Sequence, residues 1–534
     1  LMQIAGQLQG GIEASLNQYG ARLGAVSNRG FTLTTDFNAD LENGNIQLPA
    51  LSAETLGFTV NGKLDAKNMQ ASNGSINGSL ALAGENLREV LTALDQAELA
   101  EVAQSMNMNL EIGGSSNNIN ISPLTLNFIV GGTQIPNSPQ TIALNADTVV
   151  NLDNDSVSIN SFTLGGLGLN MSGNIAARNL SGNMSYEGKL SVPEFNMRNI
   201  LEQLNQPVPE TADATVLQKF GMGMTVNGTA NSLEVKELAM RLDDTAINGT
   251  LAVSDFTTMA TRFTLDVDSI DADRYLAPSS TEPTENVPEE SSPLEVDELK
   301  ALDVQGSINI GQLTISGLRM SELVVAMNAK GGKISLDPSA ALYDGNFKSG
   351  VSLDVTGAEP AATVNTTLSS INLGPLLQDF MDATYLTGTG NIQLGLTGRG
   401  MDITDIKRNL YGSGSVSLEN GVLTGVDVSE VLGSIETMIR SKRVTSLPQG
   451  GETAFDNFSS TLAIQNGIVN SNDLLIVAPG WKVNGTGTLV DLSNDTINYN
   501  LIATVEPATA TTNDEEFDIG GYALPIACKG SIDS

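Results

Sequence analysis

Apolar and polar residues alternate along most of this chain with a period of two, the period of a β-strand with one dry face and one wet face. Met184, Tyr186, Gly188, Leu190 and Val192 alternate with Ser185, Glu187, Lys189 and Ser191. Phe263, Leu265 and Val267 flank Thr264 and Asp266, and Ile392, Leu394 and Leu396 alternate in the same way around Gln393. Ile497, Tyr499, Leu501, Ala503 and Val505 interleave with Thr496, Asn498, Asn500 and Thr504. The pattern recurs from about residue 31 to the end. Asn-Gly pairs punctuate it at Asn43–Gly44, Asn61–Gly62, Asn77–Gly78, Asn227–Gly228, Asn248–Gly249, Asn420–Gly421 and Asn466–Gly467. Asn-Gly readily takes the positive φ angles of a type I′ turn, so each pair predicts a two-residue hairpin or, inside a strand, a bulge. The expectation is a long antiparallel meander.

Helical signals are few. Residues 86–107 place Leu87, Val90, Leu91, Leu94, Leu99 and Val102 on one helical face, and 2–18, 197–205, 373–382 and 428–442 carry weaker patterns. A strand runs into a short helical segment five times, at Asn86, Phe195, Ile270, Ile371 and Val426. Their spacing is irregular, which argues against a strict solenoid period. The acidic, Pro-rich stretch 277–297 carries too little apolar surface to order itself. It separates residues 1–276 from 298–534, either as a domain boundary or as a loop within one continuous sheet.

Composition closes off several chemistries. The chain has 61 acidic and 26 basic residues, a net charge of −35, which disfavours nucleic acid and leaves no polybasic patch for a membrane surface. It has no histidine, so the commonest general base and transition-metal ligand are missing. Cys528 stands alone, so neither a zinc cluster nor an internal disulfide can form. We assign Cys528 no role. A glycosidase built on two carboxylates would need an aromatic-lined cleft, and with one tryptophan this ranks last. No catalytic, cofactor or metal residue is expected. The acidic string Asp266, Asp268, Asp271 and Asp273 does not match a calcium loop and reads as solvated strand face. The Gly-rich pieces at Gly388 and Gly412 lack the following Lys-Ser/Thr of a phosphate cradle, and read as close strand packing or bulges. Arg440, Lys442 and Arg443 end a helical segment, where cations complement its dipole. No apolar run reaches the ~20 residues a spanning helix needs. The chain opens at Leu1, so a targeting segment is expected upstream.

An apolar sheet face has to be covered. A second sheet would give a sandwich, and a strongly curled sheet would leave a dry groove in want of a ligand. The residues alone do not choose between them, but they put the sandwich ahead, because folded domains usually cover their own surfaces.

Between about 301 and 506 the chain resembles the C-terminal region of the AsmA family. The resemblance is carried by Leu302-Asp-Val-Gln-Gly-Ser-Ile-Asn-Ile-Gly, Ala341-Leu-Tyr-Asp-Gly-Asn, Leu386-Thr-Gly-Thr-Gly and the run from Gly412 to Val428. Thr453-Ala-Phe-Asp and Val483-Asn-Gly-Thr-Gly-Thr-Leu-Val-Asp-Leu follow, with Leu242-Asp-Asp-Thr and Asp271-Ala-Asp-Arg-Tyr-Leu upstream. Their order and spacing, more than any one piece, carry the likeness. The resemblance implies a mainly β fold: a long curled antiparallel sheet (a β-taco, or repeating β-groove) with a few short helices, similar to chorein-type bridge-like lipid transfer proteins. It implies a periplasmic protein of a Gram-negative bacterium, anchored to the inner membrane by an upstream helix. Phospholipid or another acyl-chain lipid would move between inner and outer membrane in the apolar groove, with membranes at one or both ends, possible envelope protein partners and no nucleic acid. The groove would be lined by Met184, Tyr186, Leu190, Val192, Phe263, Leu265, Val267, Ile392, Leu394, Leu396, Ile497, Tyr499, Leu501 and Val505. Arg440, Lys442 and Arg443 would be the candidate head-group contacts. The alternatives are a structural scaffold assisting outer-membrane protein assembly, or an adhesin of β-sandwich repeats.

Overall fold

Alternation becomes strand throughout the computed structural model, which describes residues 3–8, 31–40, 42–71, 73–132, 135, 138–278, 293–425, 427–442, 450–492, 495–505 and 523–531. The chain is mainly β, with a few short helices, and divides into two compact units, Leu1–Thr257 and Thr258–Ser534.

The first unit is an antiparallel meander of fourteen described strands, from Gln3–Leu8 to Thr245–Val253, each paired with the next. Among the described residues no ladder joins its first strand to its last, so the sheet is open and not a barrel. The second unit begins differently. Its first strand, Thr261–Asp271, runs parallel to Asp303–Ile315, with Phe263 opposite Gly306. Eleven antiparallel pairings then lead to the strand Ala523–Ser531. Parallel neighbours oblige the chain to travel back to its starting end. The acidic, Pro-rich segment lies on that return path inside the second unit, and its residues 279–292 fall outside the described ones. Asp303 locks the junction, taking Arg262 at 2.9 Å on one oxygen and Lys330 at 3.1 Å on the other. The two cations hold its carboxyl below the usual range, Arg262 foremost.

The Asn-Gly pairs divide. Asn466–Gly467 makes the expected hairpin, with φ of 52° and 73°, and Gly44 closes a turn at φ 68°. The other five pairs lie inside strands. Asn420–Gly421 is a bulge, two residues set against Gly388 alone. In several pairs the glycine takes the place of a side chain that would collide with a large neighbour. A Cβ on Gly62 would stand 3.3 Å from Leu80, one on Gly228 2.6 Å from the Tyr186 hydroxyl, and one on Gly421 would enter the Phe455 ring. Other two-residue turns with both φ angles positive are Leu56–Gly57, Leu167–Gly168, Ser316–Gly317, Gly331–Gly332 and Tyr343–Asp344. Gly421→Ala should therefore destabilise the second unit by about 1–3 kcal/mol, the usual cost of overpacking, as read by denaturant unfolding. An unchanged midpoint would mean that the Phe455 ring has room to move.

The five strand-to-helix modules all end in helical turns: Leu87–Ala93, Met197–Gln203, Ala272–Arg274, Leu373–Met381 and Val428–Ser441. Two carry side-chain N-caps, Asn196 accepting from the Asn199 amide at 3.0 Å and Asp427 from the Glu430 amide at 2.9 Å. Within each unit an even number of antiparallel pairings separates successive modules, so all of a unit's modules stand at the same end of its strands. The single helix expected over 86–107 is broken. Asp95, at φ 60°, separates Leu87–Ala93 from Ala97–Val102, and strand begins at Ala103, where Met106, Met108 and Leu110 face across to neighbouring strands. The helix expected over 2–18 is also corrected, because Gln3–Leu8 is a strand paired with Phe31–Asp40; residues 9–18 lie outside the described ones.

Packing differs between the units. The second has a cluster of large buried side chains at its helical end: Leu342, Ile371, Leu373, Leu418, Phe455 and Trp481. The fully buried apolar residues of the first are mostly alanine and valine.

Candidate functional site

Register turns single-strand alternation into rows. In the first unit Leu51 stands opposite Gly62, Gly62 opposite Leu80, Leu80 opposite Leu110 and Leu110 opposite Leu124. The row continues through Ala146, Phe162, Gly173 and Leu190 to Met224. Neighbouring strands are ~4.8 Å apart, so a path over these ten strands is about 45 Å long. A second row lies beside it, from Val60 through Leu82, Met108, Leu126 and Leu144 to Leu164. The opposite face of the same strands carries Ser52, Asn61, Ala81, Asn109, Thr125, Asn145, Thr163, Ser172 and Ser191, again directly opposed. One face is thus continuously apolar and the other is mainly polar.

The apolar rows are incompletely covered. Leu51, Leu80, Leu110, Leu124, Phe162, Leu190 and Met224 are all half-buried. Among its described residues this unit has one sheet, and its helices stand at the strand ends. Most strands of these rows place a large side chain on a face that, among the described residues, nothing in the unit fully shelters.

The residues predicted from sequence fall as follows. Tyr186, Leu190 and Val192 point to the apolar face of the strand Ser185–Phe195, while Ser185, Glu187, Lys189 and Ser191 are exposed; Met184 precedes that strand and is half-buried. In the second unit Phe263, Leu265 and Val267 are half-buried between exposed Thr264, Asp266 and Asp268. Phe263 and Leu396 share one row, linked through Gly306, Met327, Leu336, Val351 and Val364. Leu394 faces Thr366 across its ladder, and Ile392 faces Val416. Ile497 and Leu501 are half-buried and Tyr499 is buried, whereas the side chain of Val505 lies outside the described residues. Lys442 is exposed and caps its helix in the left-handed region at φ 52°. Arg443 and the side chain of Arg440 lie outside the described residues. Asp266 and Asp268 point outward, and the Asp273 carboxylate accepts the amides of Ser316 and Gly317 at 2.5 and 2.8 Å, so the acidic string serves strand face and turn.

Sequence reasoning missed a set of buried hydroxyls on the apolar face of the second unit. Ser349 and Thr366 hydrogen-bond at 2.8 Å, as do Ser460 and Ser471 at 2.7 Å. Ser471 is 2 % exposed, Ser460 5 % and Tyr499 3 %. The signal available was a serine at a position where alternation calls for an apolar residue. Among the described residues no group of three or more His, Cys, Asp or Glu is placed to hold a metal ion, and no helix is long and apolar enough to cross a membrane.

A family model described as the AsmA family matches residues 41–474. Protein AsmA of Escherichia coli strain K12 is 21 % identical over 182 residues. That alignment takes in 32 % of this chain and 28 % of the Escherichia coli protein, so it spans little more than a quarter of that relative's length.

Proposed function

The chain belongs to the AsmA family, and from that premise we propose that it holds acyl-chain lipid, phospholipid foremost, on the apolar face of its sheet. The family is associated with the bacterial envelope. The proposed setting is the periplasm of a Gram-negative bacterium, with the protein as a bridge along which lipid passes between inner and outer membrane. The role is physical and not enzymatic: it needs no nucleophile, acid or metal.

The observation that carries this reading is the half-buried apolar rows of the first unit. Burying one methylene is worth ~0.8 kcal/mol, so ten methylenes laid on such a row gain about 8 kcal/mol before the cost of ordering the chain. Leucine, valine and phenylalanine suffice for that, and no compact constellation is required. Rows running across the strands would let an alkyl chain change position without crossing a polar barrier. The scaffold and sandwich-repeat readings gain no support from a unit with a single sheet and no partner for its apolar face among the described residues.

The test is native mass spectrometry of the chain purified from a bacterial host without detergent, followed by lipid extraction. Phospholipid surviving size exclusion, at one or more copies per chain, is the expected result. A folded, monomeric and lipid-free protein would sink the proposal.

A further inference from the structure

Among the described residues, the apolar face of the second unit holds a buried hydroxyl, that of Tyr499, whose neighbour Ser471 stands beside it without a hydrogen bond of normal geometry. Tyr499 lies on that face, 3 % exposed, with its ring across Gly485 and Gly487, where an added Cβ would stand 2.6 and 3.4 Å from it. Its hydroxyl oxygen is buried and makes no hydrogen bond of normal geometry. Beside it is Ser471, which faces Gly487 across its ladder and shares a 2.7 Å hydrogen bond with Ser460. A buried hydroxyl left unpaired costs free energy, and native proteins rarely leave one so. Burial pushes the Tyr499 hydroxyl's pKa up, opposed by Ser471 and reinforced by the charge of Asp473, so the group remains a proton donor.

Asp473 also restricts the partner. Its carboxylate accepts the amide and hydroxyl of Thr461 at 2.8 and 2.7 Å, and the hydroxyl foremost holds its pKa low. An anionic phosphate or free carboxylate brought alongside would meet a fixed negative charge. A neutral acceptor attached to an alkyl chain would not.

We propose that Tyr499, with Ser471 and Ser460 behind it, forms a neutral hydrogen-bonding subsite in the apolar face that takes the ester carbonyl oxygen of an acyl lipid. The subsite rests on the lipid-holding reading and adds a chemical preference to it: ester-linked chains over ether-linked ones. Gly485 and Gly487 make room for the ring against the sheet, where a side chain would collide with it.

The experiment compares a diacyl phosphatidylethanolamine with its dialkyl ether analogue. The two share chains and head group and differ in the carbonyls. Delipidated full chain is reloaded with each lipid and the bound fraction is read by native mass spectrometry. Wild type should favour the ester by about fivefold, the worth of one buried neutral hydrogen bond. Tyr499→Phe should lower ester binding to the ether level. Equal binding of the two lipids by wild type, or a preference that survives in Tyr499→Phe, overturns the subsite while the lipid-holding reading stands. Binding of neither lipid overturns that reading itself. Ser471→Ala supplies a second variant should Tyr499→Phe fail to fold, and it should weaken the same preference.

Discussion

Leu190→Glu is expected to leave the first unit folded and to reduce its retained lipid by tenfold or more. Leu190 is half-buried, set between Gly173 and Met224 in the row that crosses the sheet, and its terminal methyl would be 3.2 Å from a Cβ on Gly173. Without ligand, a carboxylate there can turn into the water that already reaches the site, and surface-like substitutions of this kind change stability little. With an alkyl chain on the row, the same carboxylate must be desolvated against hydrocarbon, and burying an unpaired charge costs several kcal/mol. A loss of tenfold needs only 1.4 kcal/mol. The control is Ser191→Glu, one residue along the strand, where the side chain is exposed on the polar face. It adds the same charge and should leave the lipid in place. Equal lipid content in the two variants would mean that lipid, if bound at all, does not lie on this row. The comparison is internal to one strand, so it separates the face from the global charge of an already acidic chain.

That contrast between adjacent residues was legible in the sequence, because period-two alternation fixes which side chains share a face once a strand is granted. Two things were not legible. One was register. Rows such as Leu80, Leu110 and Leu124 depend on bulges that shift a ladder, as between Leu110 and Ile112, and a one-residue slip would send each side chain to the other face. The other was the meaning of glycine. Asn61–Gly62 and Asn466–Gly467 are the same dipeptide, yet the first lies within a strand with its glycine facing Leu80 and the second turns a hairpin. Local propensity favours the turn for both. What separates them is the large side chain that a neighbouring strand brings over the glycine, a contact that exists only after pairing. The parallel start of the second unit was invisible for a similar reason: the strand Thr261–Asp271 carries ordinary alternation, and nothing local records the direction of its partner. The strand-to-helix modules were more readable, since a short helical segment is set by local spacing, and Asn196 and Asp427 add caps that act within four residues. Tyr499 was picked out as an apolar-face residue, but its neighbours Ser460 and Ser471 were not, because a serine in an apolar slot reads as noise until its partner is seen.

Trp481→Ala should cost the second unit about 3–5 kcal/mol, the range for deleting a large aromatic from a packed site. Trp481 is the chain's one tryptophan, 5 % exposed, and packs in the cluster with Leu342, Ile371, Leu418 and Phe455. The helix Leu373–Met381 contributes Leu373 to the same cluster, so part of this unit's apolar face is already covered by its own chain at the helical end. The first unit has no counterpart among its described residues, and its large side chains stay half-buried. The two substitutions therefore have opposite signatures. Leu190→Glu should remove lipid and spare stability, because its row is only partly sheltered by the unit itself. Trp481→Ala should remove stability and spare any lipid that the proposed Leu190 row holds, because its apolar surface is spent on packing. Calorimetry of the variant, with lipid content measured in parallel, checks both halves. A loss below about 1 kcal/mol would show that the cluster collapses around the missing ring or was never tightly packed. A large loss of lipid alongside the loss of stability would overturn the second half of the prediction.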